Sequence, residues 1–353
     1  MKNILTRQHL VLFTLALVAA VAVQFGIVSH ESAGLIGLLG VTMNTSAARV
    51  IDPILTTVAQ GFQNSDFVGM NLFPSVPVGQ RGGKIITFGK EDFQLYATAR
   101  APGAGTKRIQ YGYSGSAFAL EQHSLEGLVP FELMQDAQAV PGIDLGRGAV
   151  IKVQNTIGLR LEYAQAVLAT TAGNYASSNK TTLSGTSQWS DLTTGVSDPV
   201  NDIETAKEAV RAKIGKRANT VVMGAAVFAK LRQHPKVIDR IKYTGRDSAT
   251  PELLAALFGV KRVLVGDAVY ADAAGTFVDV WGKFVVVAYT DLAGVAEQGT
   301  PSYGYTYRLG GFPTVEQPYQ DRNAKSWIYP VTDEVSPVIA GALGGYLISA
   351  AVA

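Results

Sequence analysis

Apolar and polar residues alternate along two stretches of this chain, Lys84–Tyr96 and Lys107–Phe118. In the first, Ile86 and Phe88 fall on one register and Phe93 and Leu95 follow. In the second, Ile109, Tyr111 and Tyr113 repeat the step. A period of two predicts strands. Between the limbs lies Arg100-Ala-Pro-Gly-Ala-Gly-Thr106, a turn cluster of the kind that joins strands. The pattern from Arg81 to Phe131 therefore predicts a long two-stranded ribbon with little core of its own. An isolated ribbon is marginal in water. It needs something to lie on, and a neighbouring copy of the same chain is a natural candidate.

Elsewhere the period is longer. Val150, Val153, Ile157, Leu161, Ala164 and Leu168 recur in steps of three and four, which predicts one face of a helix over Asp144–Thr171. Asp144 is the expected N-cap and Gly173 the expected stop. Ile51–Gln63 also has helical spacing, and Pro74 and Pro77 then hold the chain extended. A short helix is predicted over Leu128–Ala139, and a Ser/Thr/Asn/Gly-rich loop over Asn174–Asp198. Helices follow at Asn201–Ile214, Ala225–Gln233 and Pro251–Phe258, the last with Thr250 as N-cap and Pro251 at its first position. Strands are predicted at Thr220–Met223, Val260–Val265, Thr276–Trp281 and Phe284–Tyr289. The chain then returns to its first region through strands at Ser302–Leu309 and Thr314–Pro318. Trp327–Val331 and Gly345–Ala350 are expected to complete that region's sheet. No internal repeat is visible.

Length and composition change the picture. At 353 residues the chain is long enough for two packed regions. Only 16% of residues are charged against 47% hydrophobic, so many positions must be buried within the fold or between subunits. The formal charge of +2 argues against a dedicated nucleic-acid binder. There is no cysteine, which excludes disulfides and thiolate metal sites. The N-terminus stands apart: Leu10–Val28 is uncharged throughout, with Lys2 and Arg7 before it. Its length is enough for a short membrane span. Four readings stay open: a signal peptide, a membrane anchor, an apolar arm or propeptide that helps assembly, or an upstream extension with Met43 as the effective start.

Signals for catalysis are weak. His9, His30, His123 and His234 stand alone, without metal-ligand spacing. Gly79–Ile85 lacks the spacing of a phosphate loop and opens a strand rather than a helix. Gly112-Tyr-Ser-Gly115 is not a nucleophile elbow, because Gly115 follows the serine directly. Asp267 and Asp272 flank a turn and read as solvated turn residues. No catalytic residue, cofactor site or metal site is expected.

The order of motifs along the chain is more specific. Arg49–Phe62 leads into Leu72-Phe-Pro-Ser-Val-Pro-Val-Gly79 and then Gly82–Lys90. Ala119–Glu126, Tyr243–Asp247, Thr250–Gly259, Val265–Tyr270 and Asp321–Trp327 follow. Over about residues 44–353 this sequence resembles the major capsid proteins of tailed bacteriophages. The resemblance implies an α+β fold of the Johnson type: an N-terminal arm (49–79), an extended β-hairpin loop (80–127), a peripheral domain with a long spine helix (128–199 and 300–353) and an axial α/β domain (200–299). Residues 1–48 would be a separate apolar segment. It implies a structural protein that assembles through pentamers and hexamers into an icosahedral shell around double-stranded DNA. Scaffold, portal and decoration proteins would be its partners, with weak non-specific contact to the DNA. The place of action would be the virion, after assembly in the host cytoplasm. Some members of that family link a ribbon lysine to a neighbour's asparagine, which brings Lys84, Lys90 or Lys107 with Asn323 into view. On the ribbon, Arg100 at the tip, Lys107 and Arg108 just past it, and Arg81 and Lys84 at the base are the expected inter-subunit contacts. Two other readings stay open: an exported or membrane-anchored protein of the bacterial envelope, and an encapsulin-like compartment shell.

Overall fold

The computed structural model describes residues 51–61, 67–84, 95, 98–103, 105–106, 108, 117–138, 144–242, 249–291 and 302–353. The apolar N-terminal stretch and most of both ribbon limbs lie outside the described residues. So do Lys90, Lys107 and the motif Tyr243–Asp247.

Helices α1 (Pro53–Gly61) and α2 (Gly69–Leu72) precede strand β1 (Ser75–Val78). Strands β2 (Gly82–Lys84) and β3 (Ala117–Ala119) pair antiparallel and form the root of the ribbon. β4 (Glu121–Pro130) runs directly into α3 (Phe131–Gln138), and the long helix α4 (Leu145–Thr170) follows. The middle of the chain alternates: β5 (Lys180–Thr182), α5 (Pro199–Ile214), β6 (Thr220–Gly224), α6 (Ala225–Leu231), α7 (Pro235–Ile241), α8 (Pro251–Phe258), β7 (Arg262–Gly266), β8 (Val269–Ala271), β9 (Phe277–Asp279) and β10 (Val285–Ala288). It closes with β11 (Gly304–Leu309), β12 (Thr314–Val315), β13 (Tyr319–Asp321), β14 (Ser326–Ile339) and β15 (Gly345–Ser349).

Local chemistry sets the helix starts. Asp52 Oδ1 accepts the amides of Ile54 and Leu55 ahead of α1. Asp144 accepts from Arg147 N–H at 3.0 Å, as expected for the long helix. Asp198 caps α5, with Pro199 in its first turn and Gly215 left-handed at its end. Thr250 caps α8 ahead of Pro251. These caps satisfy amides that a helix leaves orphaned at its start.

Two sheets organise the described residues. The first has six strands and is built around β14. β11 and β12 pair along one side of β14, with β13 beyond them, and β1 pairs parallel to β11. Along the other side of β14, β4 runs antiparallel for ten residues, from Ser326↔Pro130 to Val335↔Glu121. The second sheet has the order β5-β15-β10-β6-β7. Its central strands β15, β10 and β6 are buried on both faces. Val221, Met223, Val285, Val287, Tyr346 and Ile348 join a core with α5 to α8. Val222, Val286, Ala288 and Leu347 face the opposite way, onto Ala166 and Ala169 of α4, with Leu72, Phe73, Trp281 and Tyr303. A sheet covered on both sides reads as continuous apolar runs rather than alternation.

Several expectations change here. Residues 121–127, assigned to the hairpin loop, are the greater part of β4 and lie in the first sheet. The helix expected from Leu128 starts at Phe131, because Leu128–Pro130 finish that strand. The strand expected at Trp327–Val331 extends to fourteen residues. Gly345–Ser349 belongs to the second sheet, between β10 and β5, rather than to the first. Its burial on both faces suits a central strand under two helical layers. β5, which lies inside the loop expected at Asn174–Asp198 and pairs with β15, was not anticipated, nor were β8, β13 and α7. Pro235 does end the preceding pattern, but it also opens α7 as a first-turn proline.

Leu347, fully buried on that central strand, sets the first prediction. Leu347→Ala should lower the unfolding free energy by about 2–5 kcal/mol. Leu133→Ala, on an exposed face, should leave it within about 0.5 kcal/mol. Denaturant unfolding of the two variants checks both values.

Candidate assembly surface

The ribbon is fastened to the first sheet at its root. Arg81 presents a two-pronged contact to Glu334 on β14: Nε to Oε2 at 2.7 Å and Nη2 to Oε1 at 3.0 Å. Bidentate Arg–carboxylate geometry adds orientation as well as energy. Gln122 Nε2 also reaches Glu334 Oε1 at 3.4 Å. Leu120 donates its amide to the Arg81 carbonyl, closing the ribbon base. Phe118 is buried against Tyr307 of β11, with ring centroids 4.4 Å apart and nearly parallel. The neighbouring residue Asp333 points to the other face of β14, where its Oδ2 accepts from Arg308 Nη2 at 3.1 Å. Two consecutive carboxylates, both almost wholly buried, thus bind arginines on opposite faces of one strand. Burial pushes the Asp333 carboxyl above its ordinary range, against the pull of Arg308.

The segment before the ribbon is fastened from inside. Glu162, on α4, is 1% exposed. Its carboxylate accepts the amides of Val68 at 3.0 Å and Gly69 at 2.9 Å, and the indole N–H of Trp281 at 2.7 Å. One turn on, Gln165 donates to Thr306 Oγ1 at 2.8 Å, and that hydroxyl donates to the Phe73 carbonyl at 3.0 Å. Arg262 donates to Asn71 Oδ1 at 2.7 Å. Residues 68–73 are therefore tied to α4, β7, β11 and the loop after β9. Burial raises the Glu162 carboxyl above its ordinary range, while the bonds from Trp281, Gly69 and Val68 pull it down. Gly69 is required by the closeness of these groups: a Cβ there would stand 2.1 Å from Gln165 Oε1 and 2.7 Å from Glu162 Oε2.

The five expected contact residues are distributed unevenly. Arg81 is engaged within its own chain. Lys84, Arg100 and Arg108 are exposed, and Lys107 lies outside the described residues. The structure adds exposed apolar side chains that sequence reasoning did not single out. Leu128 and Tyr319 lie in one cross-strand row through Ile328, on the sheet face opposite the α4 contacts, at 55% and 47% exposure. Phe277, on the β8–β9 hairpin, is 76% exposed. Their signal was an apolar residue next to polar ones in a strand whose partner was not known.

No catalytic constellation is assembled among the described residues. His234 Nε2 lies 3.3 Å from Ser197 Oγ, both buried. The Lys236 amide donates to His234 Nδ1, so Nε2 carries the proton and donates to the serine. A histidine in that tautomer cannot take the serine's proton. Asp272 accepts the amides of Ala274 and Thr276 within the β8–β9 turn, the turn role expected of it. No group of three or more His, Cys, Asp or Glu side chains among the described residues is placed to hold a metal. No described helix is long and apolar enough to cross a membrane.

Two sheets, a long helix shared between them and a ribbon rooted on the first sheet make up an α+β capsid fold. The capsid structure of the cyanophage P-SCSP1u has this fold, with a TM-score of 0.53 at 10% identity, over 82% of this chain and 89% of that one. A phage-related protein from Bordetella bronchiseptica RB50, known from its crystal structure, is 45% identical, with a TM-score of 0.74 over 86% of this chain and 98% of that one. The family model described as phage major capsid protein E matches residues 163–325. The major capsid protein of Burkholderia phage BcepMu is 41% identical over 308 residues, 86% of this chain and 97% of that one. The chain belongs to the family of phage major capsid proteins. It is a structural protein of the virion capsid that self-assembles into an icosahedral shell. The envelope and encapsulin-like readings are not favoured.

The two fastenings give three predictions. Glu162→Leu leaves buried donors unpaired and should cost about 3 kcal/mol or more, at roughly 1–3 kcal/mol for each group. Gly69→Ala should cost about 1–3 kcal/mol through overpacking alone. Thermal and denaturant unfolding read both. Arg81→Ala should leave the second sheet unchanged and loosen the ribbon root. Hydrogen exchange should then speed up at residues 82–84 and 117–119 but stay constant at 220–224 and 285–288.

Proposed function

We propose that this chain builds the head shell through pentamers and hexamers in which the ribbon of each copy crosses onto its neighbour, and that the closed shell encloses double-stranded DNA. The observation that carries this reading is the ribbon root. It is locked to its own sheet by Arg81, Glu334 and Phe118, while Arg100, Ala101, Pro102 and Gly103 at the tip are exposed. A ribbon with a fixed root and an exposed tip is suited to reach a second copy. Backbone edges that are a liability in a monomer gain partners in a closed assembly. Lys84, Arg100, Lys107 and Arg108 are its charged contacts, and Leu128, Tyr319 and Phe277 are apolar ones. Symmetry repeats each modest contact around the shell.

Near-neutral charge fits a shell that contains DNA without gripping it. Scaffold, portal and decoration proteins complete the assembly, which takes place in the host cytoplasm before the virion is released. The domain plan is an N-terminal arm to residue 79, the ribbon, a peripheral part built on the first sheet and α4, and an axial part built on the second sheet.

Replacing Arg100–Thr106 with a shorter linker should leave the chain folded, with unchanged circular dichroism, and sharply reduce the yield of shells. Electron microscopy with light scattering measures that yield beside the unaltered full-length chain. Normal shells from the variant would contradict the proposed role of the tip.

A further inference from the structure

The loop into α5 and the elbow between α6 and α7 meet at one buried imidazole. His234 is 2% exposed and caps the start of α7, where its Nδ1 accepts the Lys236 amide at 3.3 Å. Its Nε2 lies 3.3 Å from the hydroxyl of Ser197, which is 1% exposed and directly precedes Asp198, the cap of α5. A second link joins the same two helix starts, from Lys236 Nζ to Asp198 Oδ2 at 3.2 Å. Leu231 before the elbow, Val237 after it and Ile203 on α5 are fully buried in one core. None of the contacts assigned to shell formation involves this ring.

The geometry fixes one charge state. The ring accepts on Nδ1 and donates on Nε2, so it is neutral. A further proton would go to Nδ1 and face the Lys236 N–H, donor against donor in a buried place. The α7 start would lose its cap, and the new charge would meet the Lys236 ammonium and the positive end of α5. Asp198 and Asp191 pull the other way, but their oxygens are already engaged. Asp198 accepts from the Asn201 amide and from Lys236, and Asp191 accepts from Thr193 and Thr194. Of the other charged groups around this joint, Arg240 acts on Asp198, Asp202 accepts from the Trp189 indole, and the Arg232 guanidinium lies over the Phe228 ring. Burial, and then Lys236, hold the His234 pKa below its ordinary value of 6.5. Since the folded state disfavours the proton, the stability this joint adds is complete above that value and is lost as pH falls below it.

We propose that His234 is a proton-sensitive latch: neutral, it holds the start of α7 to the start of α5, and protonated, it lets the α6–α7 elbow open while the sheet beneath stays folded. The latch belongs to the single chain and stands apart from the shell reading above. Opening of this kind is local, and amide exchange reads it segment by segment.

Hydrogen exchange on the full-length chain, corrected for the intrinsic pH dependence of exchange, is the test. Between about pH 7.5 and about pH 5.5, protection at residues 236–241 should fall about tenfold or more, while 285–288 in β10 keep theirs. His234→Asn puts a side chain at the same place that caps helix starts and takes up no proton, and its protection at 236–241 should stay within about twofold over that range. Should asparagine disturb the fold, His234→Ser, also a capping residue, gives the same comparison. Protection in the unaltered chain that does not change with pH would overturn the latch. So would an equal fall in the substituted chain, or a loss at 285–288 as large as that at 236–241.

Discussion

The structure depends on a buried carboxylate. Glu162 sits on a helix that serves two sheets, and it gathers donors from the chain entering the fold and from Trp281 beyond the second sheet. A charge this deep is tolerated only where hydrogen bonds replace the lost water. The carboxylate is satisfied by backbone amides and an indole rather than by a cation. Its partners can therefore be held only if residues 68–69, α4 and the loop after β9 are in register with one another. Losing one of them leaves polar groups dry and unpaired, which makes the joint all-or-none. Gly69 is part of the same constraint, since only a residue without a side chain brings the backbone close enough to the carboxylate.

That joint positions the ribbon. Residues 68–73 lead into β1, which pairs with β11, and β11 pairs with β14. β14 carries Asp333 and Glu334 on opposite faces, so one strand holds Arg308 on one side and the ribbon's Arg81 on the other. The ribbon's root is thus fixed by a chain of contacts that begins on α4. For a shell protein this is a useful division: a body whose sheets are set by packing, and a hairpin whose root is fastened to one of them and whose turn residues 100–103 are exposed.

Much of this was legible in the sequence where the signal is local. Asp144, Asp198 and Thr250 mark helix starts through side-chain caps, and the apolar stripe of α4 is visible as far as Leu161. Beyond Leu161 the stripe turns toward the second sheet, and Gln154, Glu162 and Gln165 are buried against the rule that polar residues face out. Nothing in a single-chain pattern distinguishes a buried, bonded glutamate from a solvated one. Strand partners were equally hidden. Gly345–Ser349 reads as a strand in any sheet, and its place between β10 and β5 is decided by packing far along the chain. β4 escaped because Gln122, His123, Ser124 and Glu126 make it look like part of the ribbon. Of the expected contact residues, Arg81 was recognised as a base residue, but its partner lies 253 positions away.

The central claim is that the ribbon is rooted in its own copy and delivered to another. A density map of particles assembled from the full-length chain tests it most directly, because residues 81–118 can be traced from root to tip. The account predicts that Arg81 stays on Glu334 of the same copy while the tip crosses a subunit boundary and rests on the neighbour. A map in which the ribbon folds back over its own sheet, or in which Arg81 leaves Glu334 for a residue of another copy, would contradict it.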